Sequence, residues 1–262
     1  MTSVALTIAG SDSGGGAGIQ ADLKTMAALG VFGTSAITAI TAQNTCGVDA
    51  VEILSSQIVY AQIQSVVSDF YLGAVKTGML GNTILIETVA KAIHDFNIEH
   101  LVVDTVMVSK SGHRLLAEDA EEAMRKTLLP YAYIVTPNIP EAEVLLGKNI
   151  STLAAMKNAA EALHEMGAKY VLVKGGHLTE SADDVFFDGF EFTVLEGERI
   201  DTTSTHGTGC TLSAAIAAHL ALGASPLEAC RLAKEYLTGA LRHAVPQGRG
   251  HGPVSHFWQH RF

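Results

Sequence analysis

The sequence predicts an α/β protein with a mostly parallel central sheet and helices on both faces. Two observations carry this prediction. Short β-branched runs alternate with longer stretches of helical period along most of the chain, the pattern of repeated strand–helix–strand crossovers. The composition, 48% hydrophobic against 17% charged over 262 residues, belongs to a compact protein with a full core, burying roughly 70–75% of its unfolded surface. Linkers, low-complexity runs and repeats are absent from the sequence, so one domain over 1–262 is the simplest organisation.

The elements follow in order. Residues 4–9 read as a buried strand and 19–29 as a helix closed by Gly30, a residue suited to the left-handed position after a helix. Residues 35–41 form a second strand. The stretch 56–70 puts Ile58, Ile63, Val66, Val67 and Phe70 on one helical face. Residues 74–77 read as strand, 83–96 as helix, 101–104 as strand, 118–128 as helix and 134–136 as strand. A helix over 151–166, with Ser151 as its N-cap, leads into a strand over 170–174. Residues 185–187 and 191–195 pair as a hairpin across Asp188-Gly189. Two helices, 209–222 and 226–244, flank Gly223 near the end of the chain.

Charge and cysteine content narrow the function. The net charge of −10 and pI near 5.5 lack the basic footprint of a nucleic-acid binder. Cys46, Cys210 and Cys230 are too few and too scattered for a disulfide framework or a thiol zinc site. The N-terminus carries no basic region followed by an apolar signal segment, and no apolar run approaches a membrane span, so the expected location is the cytoplasm.

In open parallel sheets, ligands sit beyond the carboxyl ends of the strands. The predicted strands release there a glycine-rich loop (residues 10–18), Thr77-Gly78-Met79, Asp104 with Val106, Asn138 with Glu141, and Lys174-Gly175-Gly176-His177. The penultimate helix opens there with Gly207-Thr208-Gly209-Cys210. The 10–18 loop is no P-loop, since no Gly-Lys-Ser/Thr follows. It is a poor dinucleotide fingerprint as well, because no acid occurs between Leu23 and Val48 to hold a ribose. Five glycines in nine residues point to a loop that a substrate approaches closely. Gly207, Thr208 and Gly209 leave amide N–H groups bare at a helix N-terminus, a nest for developing negative charge. Cys210 in that first turn is expected to have a lowered thiol pKa, whereas Cys46 and Cys230 read as buried small hydrophobes. Asp104 and Glu141 suit a hard cation such as Mg²⁺, and Lys174 suits a polyphosphate as a point charge. The eleven histidines show no metal-ligand spacing and read as surface or packing residues.

Taken together, the stretches 5–12, 15–24, 42–45, 76–80, 136–138, 174–177 and 206–211 resemble the bacterial hydroxymethylpyrimidine/phosphomethylpyrimidine kinases of the ribokinase-like superfamily, in order from about Val4 to Phe257. The resemblance implies a three-layer αβα sandwich, usually a homodimer. Its implied activity is MgATP-dependent phosphorylation of 4-amino-5-hydroxymethyl-2-methylpyrimidine and then of the monophosphate. By position it makes Cys210 the acceptor of the hydroxyl proton and Gly207 to Cys210 the anion hole. It gives Gln43 the pyrimidine edge, which an amide with both donor and acceptor can read. Gly10, Asp22, Met79 and Val106 complete the substrate pocket, Asp104 and Glu141 the magnesium region, and Asn138, Lys174 and Thr208 the ATP contacts. Gly14 departs from the Ser or Pro found in many family members. A pyridoxal kinase of the same superfamily and a catalytically inactive nucleotide- or pyrimidine-binding regulator are the alternatives.

Overall fold

The computed structural model describes residues 2–108, 112, 115–117, 119–176, 178 and 182–260. The nine strands among the described residues join one sheet, ordered β3-β2-β1-β4-β5-β6-β7-β8-β9. β1 (Val4–Asp12), β2 (Phe32–Gln43), β4 (Leu72–Thr77), β5 (Leu101–Val103), β6 (Ile134–Val135) and β7 (Tyr170–Val173) run parallel. β3 (Val48–Ile53) lies antiparallel on one edge, and the hairpin β8 (Asp184–Phe187) and β9 (Phe192–Leu195) on the other. The chain leaves β1 toward β2 and later returns to β1's other side with β4. The C-terminal end of β1 is therefore a topological switch point, where a crevice opens.

Alternation along the short central strands divides the core. Leu101 and Val103 face one layer, with α2 (Ser56–Val67), α3 (Thr83–Asp95), α4 (Ala120–Ala123), α5 (Ile139–Leu146) and α6 (Leu153–Glu165). Val102 faces the other, with α7 (Thr208–Ala221) and α8 (Pro226–Arg242). Met26 of α1 (Gly18–Ala28) packs on this second side with Ala218. This is the expected αβα sandwich. No helix of the described residues is long and apolar enough to cross a membrane.

The departures from the sequence reading have local causes. β3 was not expected, because its exposed Asp49, Ala50 and Glu52 weaken the apolar signal of an edge strand. The helix read over 118–128 is Ala120–Ala123 followed by a π-turn over Met124–Leu128, ahead of Pro130; Glu118 lies outside the described residues. Thr152, not Ser151, caps α6, accepting a hydrogen bond from the Ala155 N–H at 3.1 Å. The β8–β9 turn forms across Asp188-Gly189 as expected: Asp188 Oδ1 accepts from the N–H groups of Phe190 and Glu191.

Candidate active site

A cavity of about 500 Å³ opens at the carboxyl ends of β1, β4, β5, β6 and β7. Two glycine turns form one wall. The first runs from the end of β1 into α1, where Gly18 takes φ +56° and a Cβ would lie 2.3 Å from the Gly10 carbonyl oxygen. The second precedes α7: Gly207 takes φ +77°, and a Cβ there would lie 1.8 Å from the Gly16 carbonyl oxygen. The turns pack back to back because neither carries a side chain at its contact point.

Asp12 is the hub of the first turn. Its carboxylate accepts from the N–H groups of Gly14, Gly16 and Ala17 at 2.8, 3.0 and 2.8 Å, and His206 Nε2 lies 2.8 Å from Oδ2. Burial alone would raise the Asp12 pKa. The bonds from His206, Ala17 and Gly14 outweigh it and hold the carboxyl below the ordinary aspartate value. His206 is thus no bystander. It lines the cavity and joins the two turns, a role that the sequence reading of the histidines as surface or packing residues misses. Its place directly before Gly207 was the available signal.

The opposite wall is charged. Asn138 and Glu141 form a capping box at the start of α5: Asn138 Oδ1 accepts from Glu141 N–H, and Glu141 Oε2 accepts from Asn138 N–H, each at 2.9 Å. Thr105 Oγ1 also donates to Glu141 Oε2 at 2.9 Å. Lys174, directly after β7, places Nζ 3.4 Å from Asp104 Oδ1 and 4.0 Å from Glu141 Oε2. Burial would lower the Lys174 pKa, but Asp104 and Glu141 hold the ammonium above the ordinary lysine value. Burial raises Glu141, and Lys174 only partly offsets it. The glycine helix start faces this group, since a Cβ on Gly209 would lie 3.7 Å from Lys174 Nζ and 3.8 Å from Asp104 Oδ2.

The cavity brings together Gly10, Gln43, Met79, Asp104, Val106, Asn138, Glu141, Lys174, Gly207, Thr208, Gly209 and Cys210. Asp22 is not among its lining residues. Its carboxylate is fully buried behind β1, paired with Lys76 at 2.8 Å and accepting from Thr7 Oγ1 at 2.5 Å, so it has no surface to offer a substrate. His177 lies outside the described residues.

Cys210 corrects a second expectation. Its thiol is pushed up to about 12, first by burial and further by Asp22 and Asp104, while Lys76 and the Gly18 N–H pull the other way. Desolvation outweighs the helix N-terminus, and the thiol is neutral near pH 7. Cys230 is buried, as expected, whereas Cys46, on the loop between β2 and β3, is exposed.

The family model described as phosphomethylpyrimidine kinase matches residues 12–255. The chain belongs to that family. A hydroxymethylpyrimidine/phosphomethylpyrimidine kinase of Rhizobium meliloti is 53% identical over 261 residues, covering 98% of both chains. The chloroplastic thiamine biosynthetic bifunctional enzyme TH1 of Arabidopsis thaliana is 52% identical over 259 residues, covering 97% of this chain and 50% of the relative. The chain therefore spans about half the length of that bifunctional relative, and nearly all of the Rhizobium one. Among solved structures, an ADP complex of Bacillus subtilis pyridoxal kinase matches this phosphomethylpyrimidine kinase family member with a TM-score of 0.91 at 42% identity, covering 98% of both chains.

Proposed function

We propose that this protein transfers a phosphoryl group from ATP to 4-amino-5-hydroxymethyl-2-methylpyrimidine, and then phosphorylates the monophosphate to the diphosphate. The observation that carries this reading is the meeting of Gly209 with Lys174 and Asp104 in the same cavity as Gln43 and Cys210. Phosphoryl transfer asks a protein mainly for positioning and charge neutralisation. The bare N–H groups from Gly207 to Cys210 take the charge that develops on the transferring group, and Lys174 and Asn138 hold the phosphates from the β6–β7 side. Gln43 reads the ring edge, with Gly10, Met79 and Val106 around the ring. We assign the hydroxyl proton of the first substrate to Cys210, acting through the small thiolate fraction that its raised pKa leaves near pH 7.

Asp104 and Glu141 would hold Mg²⁺. They are two buried carboxylates on one ammonium, and no cluster of three or more ligand side chains exists among the described residues. That donor set fits an ion that arrives with nucleotide phosphates and keeps its waters, and not a closed protein cage. When bound, the ion neutralises phosphate oxygens.

The reading includes a single catalytic domain working in the cytoplasm as a homodimer, a state that sedimentation at working concentration tests. The deciding experiment is a MgATP turnover assay on the pyrimidine alcohol, with mono- and diphosphate products resolved. Both products should appear in order, and absence of both overturns the proposal. The TM-score of 0.91 to a pyridoxal kinase favours one competing reading. Pyridoxal in a parallel assay tests it, and a higher kcat/KM on pyridoxal would replace the pyrimidine assignment.

A further inference from the structure

The imidazole of His206 is buried against the Gly16 turn. A Cβ on Gly16 would lie 2.4 Å from His206 Cδ2 and 3.3 Å from Pro253 Cβ, and His206 N–H donates to the Gly252 carbonyl at 3.0 Å. Nε2 has two neighbours, Asp12 Oδ2 at 2.8 Å and the Gln43 carboxamide at 3.4 Å. Asp12 already receives three backbone N–H groups. A carboxylate so surrounded by donors is ionised and can only accept, so the proton between it and the ring sits on His206 Nε2.

This settles which way Gln43 faces. With its amide nitrogen toward His206, two N–H donors oppose each other. Amide O and N are interchangeable in shape, and their hydrogen-bond partners decide between them. Turned over, Oε1 faces the one His206 Nε2–H, which Asp12 Oδ2 holds at 2.8 Å, and no donor opposes it. The amide nitrogen then faces Thr41 Oγ1, 3.1 Å from the other end of the carboxamide. Thr41 spends its hydroxyl hydrogen on the Ser11 carbonyl at 2.9 Å, so its oxygen is free to accept. No two donors then face each other between Asp12 and Ser11, whereas the opposite orientation sets the amide N–H against His206 Nε2–H.

We propose that Asp12, His206 and Thr41 lock the Gln43 carboxamide in one orientation, Oε1 toward His206, and that the lock makes the pocket select an aminopyrimidine edge over the oxopyrimidine edge of the same shape. This rests on the reading that a pyrimidine alcohol binds with its edge on Gln43. A 4-amino ring shows a donor beside an acceptor ring nitrogen. Its 4-oxo counterpart shows an acceptor beside a ring N–H, the reverse order. An amide free to turn serves both rings; a locked one serves one and leaves the other facing unpaired groups. His206 is thus a positioning residue that acts through Gln43.

The test compares kcat/KM for 4-amino-5-hydroxymethyl-2-methylpyrimidine and its 4-oxo analogue in the wild type, His206→Ala and Thr41→Val. The wild type should prefer the amino ring by about 100-fold or more, and His206→Ala should bring the preference within about 10-fold. Thr41→Val frees the far end of the amide while keeping the Asp12–His206 contact. It should also shrink the preference, and it decides the matter alone if His206→Ala fails to fold. A merely structural role would lower both substrates by one factor. A wild-type preference under about 10-fold, or an unchanged ratio in Thr41→Val and in any folded His206→Ala, overturns the lock while the amino alcohol is still turned over. A wild type inactive on the amino alcohol sinks the substrate reading, and the lock with it.

Discussion

Lys76 and Asp22 form an ion pair at 2.8 Å in which neither side chain has solvent-exposed surface. Lys76 stands opposite Thr7 in the β1–β4 register, and Asp22 reaches them from α1, so the pair ties a helix to the two central strands. Burial alone would lower the Lys76 pKa, but Asp22, with Cys210 and Asp104 also nearby, holds the ammonium above the ordinary lysine value. A buried charge left without its partner is far more costly than the pair. Asp22→Asn or Lys76→Met alone should therefore cost about 3–5 kcal/mol in urea unfolding, whereas Lys76→Met with Asp22→Leu should recover most of it. Additive losses in the double variant would show that the two residues do not couple, and would overturn the unpaired-charge account.

The glycine turns give a graded prediction. Gly30 takes φ +76° with open space where a Cβ would stand, while Gly18 takes φ +56° with the Gly10 carbonyl oxygen 2.3 Å away. Gly30→Ala should cost about 1–2 kcal/mol from left-handed strain and leave the kinetics alone. Gly18→Ala adds a backbone collision that only an opened turn relieves, so it should lose more stability and raise KM for the pyrimidine. Thermal unfolding and steady-state kinetics on the two variants check the ranking.

At the phosphate end, burial raises the Glu141 pKa although Lys174 lies 4.0 Å away. A carboxyl whose folded pKa is raised takes up its proton sooner as pH falls. The acid limb of the kcat/KM profile for MgATP, which reports the free enzyme, should therefore begin above the range of an ordinary glutamate, about 4.3. Lys174→Ala removes the nearest cation, moves that limb further toward neutrality, and slows both phosphorylations, since each develops charge on the transferring group. A pH–rate profile unchanged in shape would detach Glu141 from the reaction.

Much of this was legible in the sequence because strand ends announce themselves. Lys174 after Tyr170–Val173 and Asp104 after Leu101–Val103 had nowhere polar to go but the rim, and that is where they stand. Two kinds of information were not legible. Asp22 and Asp12 are both acids near the same glycine run. Only the fold shows that one turns inward to Lys76 while the other collects three amides and a histidine 194 residues away. The Cys210 thiol was misjudged for a related reason. A helix N-terminus is a local feature visible in sequence, but the burial that outweighs it, and the Asp22 and Asp104 charges that add to it, arise only in the fold.

That thiol makes the two phosphorylations separable. With its pKa at about 12, the fraction of Cys210 present as thiolate rises about tenfold per pH unit through neutral and mildly alkaline solution. The first substrate is an alcohol that must lose a proton to a base. The second is a phosphate monoester, already mostly ionised above its second pKa of about 6. If Cys210 is the base, the first step should climb with pH between 7 and 9 while the second stays level. Cys210→Ala should then flatten the first profile and slow that step far more than the second. Iodoacetamide labelling of a Cys46→Ser background should follow the same rising slope at Cys210, with Cys230 unlabelled because it is buried. Equal slowing of both steps by Cys210→Ala would instead make the residue a spacer that positions substrate. The proton would then leave by way of the phosphoryl oxygens.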